Sequence, residues 1–542
     1  MPVVDQPFAP PREVAPTARG SSLRAAKRRV PVNVLANCLS FATNIVVSFL
    51  VVPLLVHRLG NSAYGVWGLI GQLIEYSFLL DFGIRIAVTR YVARHLALDQ
   101  QHEINKVITT GLVFNIIPLS FSLLGGGVLA YVLPHFFPIP EGLVAPARWS
   151  VVIVAIGIAA SFPGSLFLGC VAASSRYDLL GIRRSLPVLV RVFLLWYFLD
   201  HGYGLVAVAT ISTLTVCLGY GLDYVFTRRQ FPHLSVRREH FDLSLLRTLL
   251  NFSVYAFISS IAWRLLFMTD NIVVGFALGP VAVTFYAVGM NLAGTLRESV
   301  GNITALYAPL AYQMDALDEK ESLRRLFISG SRIALVYVLA GITTLVIVGR
   351  PFLGLWMGSA FVDSSGPILI LLSVEAGFFA LSFTSTQVLY AMNRPRVYAW
   401  LSLSDAAVNF ALSATLVGWV GAVGVAWGTV IPACLVEAII MPVYTAALLR
   451  VSPLHFYWSA VLRPLLAATP YGLWLWFCLQ HGLIRGYASL ALAVCSGLVL
   501  YALLAWSFGL DGEERAWARQ RLSGLKSMFM AIYPAWETGE KL

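Results

Sequence analysis

Long apolar runs separated by short polar connections recur along nearly the whole chain, from residue 34 to residue 509. A transmembrane helix needs about 20 consecutive, predominantly apolar residues. On this criterion the pattern predicts fourteen spans, at residues 34–57, 63–84, 107–133, 149–170, 186–199, 203–227, 249–278, 281–312, 328–348, 367–392, 397–418, 422–448, 462–479 and 487–508. We therefore expect an all-α polytopic membrane protein with about 14 transmembrane helices.

The composition supports a lipid environment for most of the chain. Of its 542 residues, 58% are hydrophobic and only 12% are charged, whereas soluble domains carry about 25% charged residues. The mean hydropathy is +0.76. Because no soluble core can bury so many long apolar runs, a soluble globular protein is excluded.

The basic residues are distributed unevenly between the two sides of the predicted membrane domain. With the amino terminus inside, 30 of the 38 Lys and Arg residues fall in cytoplasmic connections and tails, and four fall in outer connections. This asymmetry predicts that both termini are cytoplasmic and that the number of spans is even. It also explains the net charge of +11 without a nucleic-acid partner.

Cysteine, histidine and glycine patterns indicate no cofactor chemistry. All six cysteines lie inside apolar runs without Cys-x-x-Cys spacing, and the nine histidines lie at run ends or in connections. No phosphate-binding loop of the G-x-x-x-x-G-K-[ST] type is present, so direct use of ATP is not expected. We expect no catalytic residues, metal ligands or cofactors.

A weak internal repeat indicates two parallel halves. RLGNSAYGVWGL and ALGPVAVTFYAVG share Leu-Gly, a small residue and then Tyr, with six predicted spans between them. The predicted organisation is a disordered basic cytoplasmic tail (1–31), a six-helix bundle (32–230), a cytoplasmic linker (231–248), a second six-helix bundle (249–450), two extra transmembrane helices (451–509) and a cytoplasmic amphipathic tail (510–542).

Polar side chains form a stripe along two of the predicted spans. In the first span the stripe includes Asn37 and Asn44, and in the eighth it includes Asn291, Glu298 and Asn302. Their spacing of three and four residues places them on one helix face. A polar stripe within hydrocarbon must face protein or water, so we expect these residues to line a cavity. A seam of hydrogen bonds between helices is the alternative.

Charged residues deep in the seventh and eighth spans predict that the cavity is cationic. Arg264 and Arg297 lie too deep to reach the interface easily. Each charge in a span costs about 2.5–3.5 kcal/mol on insertion scales unless it is paired or hydrated. Four buried carboxylates are candidate sites for coupling to an ion gradient: Asp270, Glu75, Glu375 and Glu437. Ion pairs between helices remain the structural alternative.

Two segments of the sequence resemble a known family of transporters. They are LLVHRLGNSAYGVWGLIGQLIEYSFLLDFGIRIAVTRYVA (54–93) and TDNIVVGFALGPVAVTFYAVG (269–289). They resemble the O-antigen flippase-like, polysaccharide transporter branch of the multidrug/oligosaccharidyl-lipid/polysaccharide exporter superfamily. The resemblance extends over about residues 30–450 in layout.

This resemblance implies two six-helix bundles that rock around a central cavity in the bacterial inner membrane. It implies a flippase for an undecaprenyl-diphosphate-linked oligosaccharide or polysaccharide precursor, with polysaccharide polymerase and glycosyltransferases as candidate partners. We expect a monomer. The alternatives are a cation-coupled multidrug exporter of the same superfamily, a membrane-embedded glycan-modifying enzyme and a non-transporting scaffold.

Overall fold

The computed structural model describes residues 43, 47, 49–174, 177–250, 261, 269–304, 307–392, 394–512, 514–516 and 519. All regular secondary structure in these residues is helical. Asn37, Asn44 and Arg264, three of the predicted site residues, lie outside them.

The helices are numbered here in chain order. They are α1 Phe49–Leu59, α2 Asn61–Ser77, α3 Ile84–Ala97, α4 Gln101–Phe136, α5 Glu141–Ala173, α6 Tyr177–Asp200, α7 Leu205–Gln230, α8 Asp270–Leu278, α9 Pro280–Thr304, α10 Tyr307–Ala316, α11 Lys320–Trp356, α12 Ala360–Ser364, α13 Gly366–Ala391, α14 Pro395–Val420, α15 Ala422–Leu448, α16 453–480 and α17 Tyr487–Gly509.

The helices follow the hydropathy pattern, which confirms the prediction of an all-α polytopic membrane protein. A helix occupies at least part of each predicted span. Within the described residues, eight helices are long and apolar enough to cross a membrane, namely α4, α5, α7, α11, α13, α14, α15 and α17. The total of fourteen spans stays a prediction.

Two helices differ in extent from the spans predicted for them. Helix α6 begins at Tyr177, well before residue 186, because its charged first turns are accommodated by a contact with α7. There the Nε atom of Arg183 donates to Oδ2 of the buried Asp223 at 3.1 Å. Helix α2 ends at Ser77 and is followed by a 3₁₀ helix, Phe78–Asp81, and positive φ angles at Phe82 and Gly83 then separate this segment from α3.

The two halves meet along a seam formed by the two copies of the internal repeat. The hydroxyl of Thr284 on α9 donates to the carbonyl oxygen of Asn61 at 2.6 Å. One turn away, a Cβ atom added at Gly65 would overlap the carbonyl group of Pro280, so only glycine permits this backbone approach. One apolar core continues from α1 and α2 into α9, α11 and α13 around these contacts.

We call these four residues, Asn61, Gly65, Pro280 and Thr284, the outer seam. With the topology predicted from the basic residues, they lie at the extracytoplasmic ends of the helices. The indole Nε1 of Trp356 donates to the carbonyl oxygen of Phe49 at 2.8 Å and adds a second link between the halves.

A buried arginine attaches the chain after the last helix to the rest of the protein. Arg332 on α11 is only 2% exposed. Its guanidinium donates to the carbonyl oxygen of Ser459 at 2.9 Å and to a carboxylate oxygen of Glu514 at 3.1 Å, and it also pairs with Asp511. Arg463 on α16 binds the other oxygen of Asp511 at 2.7 Å.

We expect Arg332→Gln to lower the free energy of unfolding by about 3 kcal/mol, because it removes the buried cation shared by two carboxylates. Arg463→Gln is the matched control: Arg463 contacts the same Asp511, but its side chain is 42% exposed, so its loss should cost less than about 1 kcal/mol. Denaturant-induced unfolding of the purified protein in detergent measures both. Equal losses in the two variants would contradict this ranking.

Candidate substrate cavity and carboxylate cluster

Helices α8, α9, α13 and α15 converge on a pocket in the second half. In the described conformation the space that water can occupy between the residues of this pocket is only about 10 Å³, enough for about one water molecule. Its lining consists of Asp270, Met290, Ala293, Gly294, Arg297, Leu372, Glu375 and Thr429. The structure therefore brings together three of the residues predicted from the sequence, Asp270, Arg297 and Glu375.

Asp270 is held by hydroxyl donors from two other helices. It begins α8 and is 6% exposed. The phenol of Tyr286 on α9 donates to its Oδ2 atom at 2.5 Å, and the hydroxyl of Thr429 on α15 donates to the same oxygen at 3.0 Å. This carboxylate therefore joins three helices of the second half.

The hydrogen-bond network continues from Thr429 to helix α14. The amide of Asn409 donates to Thr429 at 3.3 Å, and the hydroxyl of Ser413 donates to the Asn409 side-chain oxygen at 3.2 Å. Sequence reasoning missed Tyr286, Asn409 and Thr429. A signal was present in α14, because the buried residues Ser402, Asp405, Asn409 and Ser413 are spaced by three, four and four.

Arg297 forms an ion pair between helices. Its Nη1 atom lies 3.4 Å from Oε1 and 3.3 Å from Oε2 of Glu375 on α13. The arginine side chain is 18% exposed, whereas that of Glu375 is 3% exposed. Charge-assisted N–H···O bonds are usually about 2.7–2.9 Å long. The two contacts are longer than this, and the guanidinium forms part of the pocket lining.

Further carboxylates surround this pair. Glu437 lies in a π-helical turn of α15, Cys434–Ile440, and its Oε2 atom is buried with no hydrogen-bond partner among the described residues. The charges of Glu375, Asp405 and Glu437 interact electrostatically, as do those of Glu375 and Asp270. We call Asp270, Glu375, Asp405 and Glu437 the carboxylate cluster.

The cluster is spread over four helices. In the part of the chain that the structure describes, no three His, Cys, Asp or Glu side chains converge closely enough to hold a metal ion. Three members of the cluster, Asp270, Glu375 and Glu437, interact electrostatically with Arg297. Buried carboxylates can bind and release protons.

The other predicted site residues are not part of this pocket as described. Asn291 and Glu298 are exposed on α9 and do not line it. Asn302 and Glu75 lie in α9 and α2, but their side chains are outside the described part of the structure, as are Asn37, Asn44 and Arg264 in full. The two polar stripes therefore stay predictions.

Comparison with protein families finds a match over the first half of the chain. Residues 32–309 match the family described as polysaccharide biosynthesis protein. The uncharacterized membrane protein EpsK of Bacillus subtilis (strain 168) is 22% identical over 448 residues, which cover 81% of this chain and 87% of EpsK. A Shigella flexneri protein named as an O-antigen transporter is 20% identical over 400 residues, which cover 73% of this chain and 92% of that protein.

Solved structures show the same fold. The lipid II flippase MurJ in an inward closed conformation superposes with a TM-score of 0.65 at 13% identity, covering 88% of this chain and 98% of MurJ. An inward-facing multidrug resistance MATE family transporter of the MOP superfamily also superposes with a TM-score of 0.65. Its identity is 14%, and the match covers 74% of this chain and 93% of that transporter.

Proposed function

Because this chain belongs to the polysaccharide biosynthesis protein family, we propose that it is a flippase for an oligosaccharide or polysaccharide precursor linked to undecaprenyl diphosphate. The protein is a multi-pass membrane transporter of a bacterial family. In the proposal it moves its cargo from the cytoplasmic to the outer leaflet of the inner membrane by alternating access. The reaction forms and breaks no covalent bond.

The position of Arg297 in the pocket lining is the observation that carries the proposal. A guanidinium presents a planar fork of donors that matches phosphate oxygens and stays charged in a partly dry site. Its contacts to Glu375, at 3.3–3.4 Å, are longer than typical charge-assisted hydrogen bonds, and a diphosphate would take their place at Arg297. Arg297 would then bind the diphosphate together with Arg264, while Asn37, Asn44, Asn291, Glu298 and Asn302 bind the glycan.

The exchange of partners at Arg297 supplies a simple coupling scheme. When the diphosphate takes over Arg297, the buried Glu375 loses its cation and becomes easier to protonate. Asp270, Glu75 and Glu437 are the other coupling candidates. A proton or another cation taken up at the cluster would thus be linked to binding and release of the anionic cargo.

The outer seam supports an alternating-access cycle. At the outer seam the two halves touch through a backbone approach at Gly65 and Pro280 and one hydrogen bond from Thr284, beside the apolar core that they share. Individual hydrogen bonds of this kind contribute about 0.5–1.5 kcal/mol, so parting of the seam is opposed mainly by this apolar packing. In the proposed cycle the described conformation accepts cargo from the cytoplasm, and parting of the seam releases it outside.

The proposal includes a role among other proteins of glycan assembly. Glycosyltransferases would build the cargo on the inner leaflet, and a polysaccharide polymerase would use it on the outer leaflet. We propose that the flippase acts as a monomer, with both termini in the cytoplasm.

A cation-coupled multidrug exporter is the second candidate function. The carboxylate cluster favours it, since four buried acids near one described arginine suit a cationic cargo. The two candidates differ in the charge of the transported molecule, and this difference decides between them.

Reconstituted transport tests the proposal. Purified protein in liposomes is supplied with a fluorescent sugar linked to a polyprenyl diphosphate, and its movement between leaflets is followed by dithionite quenching. We expect protein-dependent movement of this lipid and none of a cationic dye such as ethidium. Transport of the dye without movement of the lipid would overturn the flippase assignment and favour the exporter.

A further inference from the structure

A second cavity lies in the first half, between α1, α2 and α6. Its volume is about 260 Å³, and it is partly open. Its lining consists of Val47, Val51, Val52, Leu55, Tyr64, Trp67, Val188 and Arg191. Apart from Arg191, this lining carries no charge. We call this cavity the arginine pocket.

Arg191 lies near the extracytoplasmic ends of α1 and α2 in the predicted topology, because Leu55 and Tyr64 line the same cavity. Helix α6 runs from Tyr177 at its cytoplasmic end to Asp200. At a rise of 1.5 Å per residue, Arg191 is about 21 Å from the first residue and about 14 Å from the last. Asp200 does not neutralise it, because its carboxylate binds Arg58 at 2.5 Å.

The guanidinium of Arg191 has no anionic partner among the residues that the structure describes. Its Nε atom is buried and makes no hydrogen bond there. Tyr64, which is 5% exposed, is the neighbour with which it interacts electrostatically. A cation at this depth costs about 2.5–3.5 kcal/mol unless it is paired or hydrated. An anion bound in this pocket would neutralise the charge of Arg191.

The walls of the pocket indicate what kind of anion it accepts. Val47, Val51 and Leu55 follow one another at four-residue steps and form one apolar face of α1. A small hydrophilic anion gains nothing from such a face. The hydrocarbon chain of a lipid-linked anion can pack against this face in van der Waals contact.

We propose that the arginine pocket binds an isoprenoid-linked diphosphate in the outer half of the membrane, with the diphosphate on Arg191 and the first isoprene units along the apolar face of α1. This inference rests on the proposed function and adds a second cargo site to it. Arg297 in the second half takes the diphosphate first, and Arg191 in the first half takes it before release.

Binding of short isoprenoid diphosphates to the purified full-length protein tests the pocket. The probes are farnesyl diphosphate and inorganic diphosphate, with affinity read by native mass spectrometry in detergent. All proteins in this test carry Arg297→Gln and Glu375→Gln, so that the proposed first site does not contribute. We expect farnesyl diphosphate to bind at least tenfold more tightly than inorganic diphosphate. Arg191→Gln should weaken this binding at least tenfold, and Arg191→Lys should weaken it less because lysine keeps the charge without the planar fork.

Two further variants separate the pocket from a general effect on folding. Val52→Trp fills the pocket, leaves Arg191 in place and should also weaken farnesyl diphosphate binding. Arg148→Gln is the matched control, because its Nε atom is likewise buried without a hydrogen-bond partner in the described residues, but it stacks on Tyr131 away from the pocket. We expect Arg148→Gln to bind farnesyl diphosphate as tightly as the same protein without this substitution does.

Three outcomes would overturn the inference. They are equal binding of inorganic diphosphate, full competition by phosphatidylglycerol, which would make this a phospholipid site, and unchanged binding in both Arg191→Gln and Val52→Trp. If any of these occurs while the wild-type protein still moves the lipid-linked sugar in liposomes, only the arginine pocket is rejected. Absence of that movement in the wild type rejects the proposed function itself.

Discussion

Gly65→Val is expected to abolish most transport by preventing closure of the outer seam. The added side chain would occupy the position of the Pro280 carbonyl group, so the seam can close only if α2 and α9 move apart. Overpacking of this kind costs about 1–3 kcal/mol. A penalty of that size lowers the population of the closed-seam conformation by roughly five- to 150-fold.

Thiol labelling measures the population directly. In a background without native cysteines, Val283→Cys places a thiol at a position that is fully buried beside the seam. We expect an impermeant maleimide to label it at least tenfold faster when Gly65→Val is also present. Gly71→Ala is the control on the same helix, because a Cβ atom added there meets no other atom within 4 Å. Equal labelling rates in all three proteins would contradict the role of Gly65.

Arg297→Gln is expected to abolish transport even when a second substitution restores the stability that it removes. The single variant leaves the buried Glu375 without its ion-pair partner, which costs about 3–5 kcal/mol. In the double variant Arg297→Gln with Glu375→Gln, two neutral amides replace the pair and most of that stability should return. Transport should not return, because the proposed diphosphate ligand is still missing.

This comparison of single and double variants needs two measurements on each protein, namely denaturant-induced unfolding and transport of the lipid-linked sugar in liposomes. Arg58→Gln serves as the control, since it breaks an exposed ion pair with Asp200 and should change stability by less than about 1 kcal/mol. Recovery of both stability and transport in the double variant would show that the pair is only structural. Recovery of stability alone supports the cargo role of Arg297.

The helical content and the position of most helices follow from the sequence, because burial in lipid demands long apolar segments whose backbone is satisfied internally. Boundaries depend on partners that hydropathy does not show. The predicted fifth span begins after Arg183, at residue 186, although α6 begins at Tyr177. Hydropathy does not show that Asp223 on α7 accepts the charge of Arg183. Likewise, hydropathy does not show the 3₁₀ helix Phe78–Asp81 or the positive φ angles at Phe82 and Gly83 that separate α2 from α3.

The candidate site could be predicted only in part for a similar reason. Depth in a span identified Asp270, Arg297 and Glu375, because charge in hydrocarbon is conspicuous. Periodicity gives the face of each helix but not the helix that this face meets. The pairing of Arg297 with Glu375, and the hydroxyl donors that Tyr286 and Thr429 supply to Asp270, arise from that packing.

The π-helical turn Cys434–Ile440 determines how the two ends of α15 are oriented relative to each other. Such a turn accommodates one residue more than an α-helix of the same path. Deleting a single residue within it would therefore restore regular α-helix on one side and rotate the residues on the other by about 100°. Thr429, before the turn, and Thr445, after it, are both buried, and this shared burial would be lost. The helix thus tolerates substitutions in this turn better than changes in its length.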